Sequence, residues 1–406
     1  MFKNIFKRDI IDQIDKYLET DDVVVLHGAR QVGKTSILLY LQDRLKVAGR
    51  PVYYLDLEDG RYKSLLDLGP GEFIKHLREK GFDAESRVFA LVDEIQYLEN
   101  PSSFLKLMAD HHKNIKLIVS GSSSFAIKSK FKDSLVGRTV DFEVFNLSFR
   151  EFLSFKKIPP PPESAGEMTA PGLEELISLY KEYALYGGYP KIILTDSIEA
   201  KEKYLQQIID TYVRKDIGDL AGVRDIGKFN KLLEVLASQS GQLLNVREIS
   251  STCAIAKQTV EKYLFILENT YILKLVKPYS RNIRSELFKA PKIYFYDSGI
   301  MQMLWLKSLQ SELMGNVLET SVFSDLAKKY SVRDVYYWRT QDKKEIDFIL
   351  RRKASVLPIE VKMNFGQFNP HPVNYFLRRY ALSEYRLVGL KGKAEGQFAT
   401  YPWWIS

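Results

Sequence analysis

Gly28-Ala29-Arg30-Gln31-Val32-Gly33-Lys34-Thr35 is the stretch that decides the fold. It fits G-x-x-x-x-G-K-[ST] at every fixed position, with an apolar run before it at 23–26 and a helical pattern after it from 34 to about 47. A glycine-rich turn lets backbone N–H groups converge on phosphates, and the helix N-terminus adds a favourable dipole. The pattern predicts an ATP cradle made of Gly28, Ala29, Arg30, Gln31, Val32, Gly33, Lys34, Thr35 and Ser36. Lys34 is expected to reach the β- and γ-phosphates, and the Thr35 hydroxyl to sit on Mg2+.

Outward from this loop the chain alternates strand and helix. Strands are expected at 52–57, 87–92, 115–119 and 140–145, and helices at 72–80, 103–112 and 125–135. Strands separated by helices indicate an α/β fold with a parallel sheet. Nearly continuous apolar runs such as 23–26 suit a sheet buried on both faces.

The run 88–94 is an apolar strand ending in two carboxylates. Asp93 is placed to hold Mg2+, and Glu94 to orient or deprotonate the attacking water. Acids are also favoured at a helix start, which is the plainer reading. A further strand ends in serines at 120 and 122–124. Ser120 or Ser122 is expected to sense the γ-phosphate or place water, although serines also cap helices. Arg138 closes the next helical stretch. It is read either as a finger reaching a neighbouring subunit's nucleotide or as a solvated arginine.

Size and composition set outer limits. The 406 residues suffice for several domains, and 45% apolar with 27% charged residues is ordinary for a globular protein. One cysteine, Cys253, excludes a disulfide framework and a cysteine zinc site, and it suits a reducing cytoplasm. Neither a signal peptide nor a membrane-spanning stretch is expected. The net charge of +8 favours polyanionic partners, DNA above all.

The proline run at 159–162 reads as a linker or surface loop. Helical sequence follows, broken at 187–190. Near 243–296, two short helices and a hairpin suggest a winged helix. Its second helix would present Lys257, Gln258 and Lys262 to DNA, with Val260, Leu264 and Leu267 on the opposite face. A basic loop with Arg281, Arg284 and Lys289 would join the hairpin strands.

Towards the C-terminus, Glu319 lies in a helical pattern, Asp347 in a strand, and Glu360 and Lys362 two apart in another strand. Residues two apart in a strand share a face. Asp347 and Glu360 can together hold Mg2+ or Mn2+, and Lys362 can help activate water against a phosphodiester. This order resembles the PD-(D/E)xK nuclease superfamily, with Ile346-Asp347 in place of the family's Pro-Asp.

Taken together, GARQVGKT, LVDEIQ, VSGSSS, LVGR, SFREF, YGGYP, TYVRKDI, YWR, EIDF and EVK resemble the prokaryotic AAA-type ATPases whose C-terminal half is a domain of unknown function. The resemblance implies an AAA+-like ATPase core, a helical lid with a winged helix, and a restriction-endonuclease-like α/β domain. It implies phosphate and magnesium roles for Lys34, Thr35, Asp93 and Glu94, and a finger role for Arg138. The expected boundaries are 1–157 for the ATPase, 158–222 for linker and lid, 223–300 for the winged helix and 301–406 for the nuclease-like domain. The expected function is an ATP-hydrolysing protein that binds DNA and cleaves it at the C-terminal site. Its partners would be ATP, DNA and further copies of itself. The alternative is a nucleotide-operated switch or binding module whose nuclease-like domain is inactive.

Overall fold

The computed structural model describes residues 5–83, 86–121, 135–217, 222–280, 290–353 and 355–405. The chain divides into two compact units: Met1–Asn146 with Asn269–Tyr271, and Leu147–Glu268 with Ile272–Ser406.

In the first unit β1 (Val23–Gly28), β2 (Val52–Asp56), β3 (Val88–Asp93), β4 (Ile115–Gly121) and β5 (Thr139–Val144) pair in parallel in the order β2-β3-β4-β1-β5. Parallel neighbours need crossovers. These are α1 (Lys34–Val47), α2 (Gly60–Asp67) with α3 (Pro70–Glu79), and α4 (Pro101–His111). β1, β3 and β4 are buried along their whole length, which is why they are apolar on both faces. Phe73 and Leu77 of α3 and Phe104, Leu105 and Met108 of α4 pack with Val88, Ala90, Val92, Leu117 and Val119 of the sheet. The expected strands fall within two residues of those observed, while α2 was not expected. Ser122 and all but the last residue of the expected helix at 125–135 lie outside the described residues.

Gly28 ends β1 against the neighbouring strand. A Cβ there would stand 2.0 Å from the Val144 carbonyl oxygen, so only glycine fits.

The second unit starts with α5 (Phe149–Phe155), whose N-terminus explains SFREF. Ser148 Oγ accepts from Glu151 N at 3.2 Å, and Glu151 Oε2 accepts from Ser148 N at 3.0 Å. This capping box satisfies two otherwise orphaned donors. The proline run is tied at its end: the Trp404 indole donates to the Pro162 carbonyl at 2.7 Å. α6 (Ala170–Tyr186) and α7 (Ile198–Ile208) follow, and the chain continues from α7 as a π-helix over Ile209–Asp216, which the sequence pattern did not announce. Then come α8 (Ile226–Ser238), α9 (Val246–Cys253) and α10 (Lys257–Asn269). The antiparallel pair β6 (Leu273–Val276) and β7 (Lys292–Phe295) comes next. The basic residues Arg281, Arg284 and Lys289 lie outside the described residues.

After α11 (Ser298–Leu306) and α12 (Gly315–Lys329), a second sheet is built from β8 (Val335–Arg339), β9 (Glu345–Arg351), β10 (Val356–Asn364), β11 (Arg386–Lys391) and β12 (Ala399–Thr400). Its order is β12-β11-β10-β9-β8, antiparallel from β8 to β10 and parallel beyond. The parallel step from β10 to β11 is bridged by α13 (Pro370–Tyr380), whose Val373 and Phe376 pack on Trp338, Ile346 and Ile349. No helix among the described residues is long and apolar enough to cross a membrane.

The break at 187–190 has a specific cause. Asp297 caps α11 by accepting from Ile300 N at 2.9 Å, and its other oxygen accepts from Gly188 N at 2.8 Å. Gly187 adopts φ 81°, and a Cβ there would meet Asp297 Oδ1 at 2.3 Å. Asp297→Ala removes both bonds. It should lower the stability of the second unit, followed by urea denaturation, by about 2–4 kcal/mol; a change below about 0.5 kcal/mol would contradict this role.

Candidate nucleotide site and C-terminal acidic cluster

The carboxyl ends of β1, β3 and β4, adjacent in the sheet, bring the loop, Asp93 and Ser120 to one edge. Ligands of open α/β sheets bind beyond such strand ends. Gln31 (φ 61°) and Gly33 (φ 100°) take left-handed conformations that turn the loop into α1. Ala29 and Val32 are buried, while Arg30, Gln31, Thr35 and Ser36 are exposed. Lys34 is only 5% exposed. Its ammonium donates to the Gly28 carbonyl at 3.1 Å and the Ala29 carbonyl at 2.6 Å. Burial lowers its pKa to about 8, against the opposing pull of Glu94 and Asp93. A buried cation with carbonyl acceptors alone is poised to exchange them for phosphate oxygens.

Asp93 is buried, and its carboxylate is held on both sides. Ser120 donates to Oδ1, Glu94 N donates to Oδ1 at 3.1 Å, and Tyr54 donates to Oδ2 at 3.1 Å. Ser120 thus stands beside Asp93, and its Oγ accepts from Glu94 N at 3.3 Å. Burial and the neighbouring Asp93 push the Tyr54 phenol well above its ordinary range, so it remains a donor. Glu94 is half-buried at φ 55°, ψ 47°, a conformation that costs a non-glycine residue roughly 1–2 kcal/mol. Its carboxylate accepts from the Gln96 amide. Backbone strain of this kind gathers at functional sites.

Arg138 is not directed at the loop. Its guanidinium pairs with Asp110, Nε to Oδ1 at 2.6 Å and Nη2 to Oδ2 at 3.1 Å.

On α10, Lys257, Gln258, Glu261, Lys262 and Phe265 are exposed, while Val260, Tyr263, Leu264, Ile266 and Leu267 are buried. Lys257 pairs with Glu261 at 3.5 Å, so part of its charge is met within the helix.

The four C-terminal candidates converge. Lys362 reaches Glu360 Oε1 at 2.7 Å and Asp347 Oδ2 at 3.7 Å. Asp347 Oδ2 also accepts from Val361 N at 2.8 Å. Burial, then the negative charge of Asp347, raises the carboxyls of Glu319 and Glu360 to about 7. Lys362 is raised as well, because Asp347 and Glu360 outweigh its burial. Glu360 Oε2 is buried without a hydrogen-bond partner.

Lys292 and Tyr294, two apart on β7, join this cluster although no motif marked them. The Lys292 ammonium meets Glu345 Oε1 at 2.6 Å and Glu319 Oε1 at 3.5 Å, and Tyr294 donates to Glu319 Oε1 at 2.5 Å. Arg339 pairs with the other oxygen of Glu345 at 2.7 Å. Among the described residues no group of three or more His, Cys, Asp and Glu side chains stands ready to hold a metal ion. The alternation of Lys292 and Tyr294 was the one available signal, and their target lies in a distant part of the sequence.

Comparisons with known proteins match three segments of the chain. Residues 20–153 match the family model of an AAA domain. Residues 177–312 and 314–397 match two domains of unknown function, DUF8612 and DUF4143. An uncharacterized protein of Haemophilus influenzae is 28% identical over 398 residues, which cover 96% of this chain and 94% of that protein. One from Methanocaldococcus jannaschii is 25% identical over 344 residues, 83% of this chain and 74% of its own. Among solved structures, the Walker-type ATPase of Pyrococcus abyssi aligns with TM-score 0.45 and 16% identity, covering 74% of this chain and 95% of that one. Residues 20–153 thus combine a match to the AAA domain model with a parallel five-stranded sheet and a phosphate-loop sequence.

The Lys34 shift carries a pH signature. Its charged form prevails below about pH 8, and phosphate binding favours that form, so ATP affinity is full below this pH and lost above it. The Kd for ATP should rise about tenfold between pH 7 and pH 9 in a calorimetric titration; a flat profile would contradict the buried-ammonium geometry.

Proposed function

We propose that this protein hydrolyses ATP and acts on DNA, with its C-terminal cluster as a metal-dependent site for phosphodiester cleavage. The observation that carries the ATPase reading is the gathering of Lys34, Asp93, Glu94 and Ser120 at three adjacent strand ends. The exposed Thr35 hydroxyl and the Asp93 carboxylate are hard oxygen donors that fit Mg2+, and Asp93 is already fixed in orientation. Bound there, magnesium would neutralise phosphate charge. Lys34 exchanges the loop carbonyls for the β- and γ-phosphates. Glu94 orients the attacking water and takes its proton. Ser120 holds Asp93 and the Glu94 backbone in place. Arg138, once released from Asp110, is the candidate finger for the nucleotide of a second copy. That role implies a homo-oligomer.

The exposed Lys257, Gln258 and Lys262 support DNA as the partner of α10, and the succession α9, α10, β6, β7 has the order of a winged helix. For cleavage, the support is the convergence of Glu319, Asp347, Glu360 and Lys362 and the unpartnered Glu360 Oε2. Two carboxylates, one with an orphaned oxygen, fit Mg2+ or Mn2+ that keeps most of its waters. The metal would supply charge stabilisation at the phosphodiester, while Lys362 positions the water. The buried thiol of Cys253 is in keeping with the reducing cytoplasm.

The second reading is the nucleotide-operated switch. What favours it is that Lys362 and Lys292 already neutralise the carboxylates, as in an ion-paired core.

The readings separate on supercoiled plasmid and linear DNA in Mg2+ or Mn2+, with and without ATP. The parent should cut, and Lys362→Ala should lose cutting by roughly a hundredfold or more. No cutting under any condition by a parent that turns over ATP would favour the switch.

A further inference from the structure

We propose that Arg8, outside the segment that matches the AAA domain, is a positioning residue for the phosphate loop. The inference rests on the ATPase reading above. Arg8 precedes the short helix Ile11–Ile14, whose Ile11 and Ile14 are fully buried and whose first turn bonds back to the Arg8 carbonyl at 3.0 Å. The backbone at Arg8 is therefore anchored in the core. Its side chain, 6% exposed with the rest of the residue, sends one guanidinium nitrogen to the Val32 carbonyl at 2.7 Å and another to the Phe145 carbonyl at 2.9 Å.

These two carbonyls differ in kind. Phe145 directly follows β5, whose last residue Val144 already touches Gly28 across the sheet. Val32 belongs to the crown of the loop. The Val32 carbonyl and the Gly33 N–H share one planar trans peptide, so they point to opposite sides. A clamp that holds the carbonyl on one side fixes the N–H on the other. In phosphate loops the N–H groups before the lysine bind the nucleotide phosphates. Gly33 sits at φ 100°, where glycine has wide freedom, so the peptide before it needs an external restraint. The fork of Arg8 spans the crown and the strand end together. A lysine, a single ammonium without planar geometry, cannot reproduce that span.

The full chain, Arg8→Met, Arg8→Lys and Lys34→Ala are compared by calorimetric titration with ATP and by steady-state hydrolysis, with melting curves taken without nucleotide. Both Arg8 variants should bind ATP more weakly, Arg8→Lys by about tenfold and Arg8→Met by more. KM should rise while kcat at saturating ATP stays within about threefold of the parent, as expected for lost uniform binding. A variant damaged only in folding would lower the melting temperature without this split. Arg8→Lys keeps the charge and most of the volume, so it decides the matter if Arg8→Met does not fold. Either variant, folded and binding ATP within about twofold of the parent, overturns the assignment. A parent that binds ATP no better than Lys34→Ala overturns the ATPase reading as well, which separates that failure from a failure of Arg8 alone.

Discussion

The buried ammonium of Lys34 is the constraint on which the first unit's arrangement turns. A cation taken out of water must find acceptors, and here it finds the carbonyls of Gly28 and Ala29. Gly28 must be glycine because β5 passes too close for a Cβ, and this close approach packs the loop against the sheet. Asp93 is then held by Ser120, Tyr54 and the Glu94 backbone from adjacent strands. A parallel sheet places all these groups at one edge, because every strand ends on the same side. The site thus holds charge in internal bonds that a nucleotide phosphate can replace.

The second unit poses the same physical problem with the opposite sign. Carboxylates dominate, and Lys292, Lys362 and Arg339 offset them. Burial, and then the charge of Asp347, still raises the carboxyls of Glu319 and Glu360. A group that stays partly protonated near neutrality can exchange its proton for a cation, and an ion-paired core can also persist with it. The cluster draws on β7 as well as on the sheet and helix of the C-terminal segment, so it is not contained in residues 314–397 alone.

What the sequence disclosed and what it withheld follow from the range of the interactions. The phosphate loop was legible because its chemistry needs consecutive residues. Asp93 was legible because an apolar strand ending in acid is a local pattern, and Glu360 with Lys362 because strand alternation puts them on one face. Arg8, Tyr54 and the bond between Ser120 and Asp93 were not, since their partners lie far away in sequence. Arg138 read as either a finger or a solvated arginine, and its pairing with Asp110 was hidden because Asp110 lies on another element. The glycines at 187–188 read only as a break, while the room that Gly187 leaves for the Asp297 carboxylate and the bond from Gly188 N to it are tertiary. The π-helix at Ile209–Asp216 has no periodic signature distinct from a helix over so short a run.

The most direct measurement is phosphate release from Mg2+-ATP by the parent, Lys34→Ala and Glu94→Gln, with nucleotide binding followed in parallel. The account predicts turnover by the parent, loss of both hydrolysis and tight binding in Lys34→Ala, and retained binding without turnover in Glu94→Gln. Hydrolysis by Lys34→Ala equal to that of the parent would contradict it.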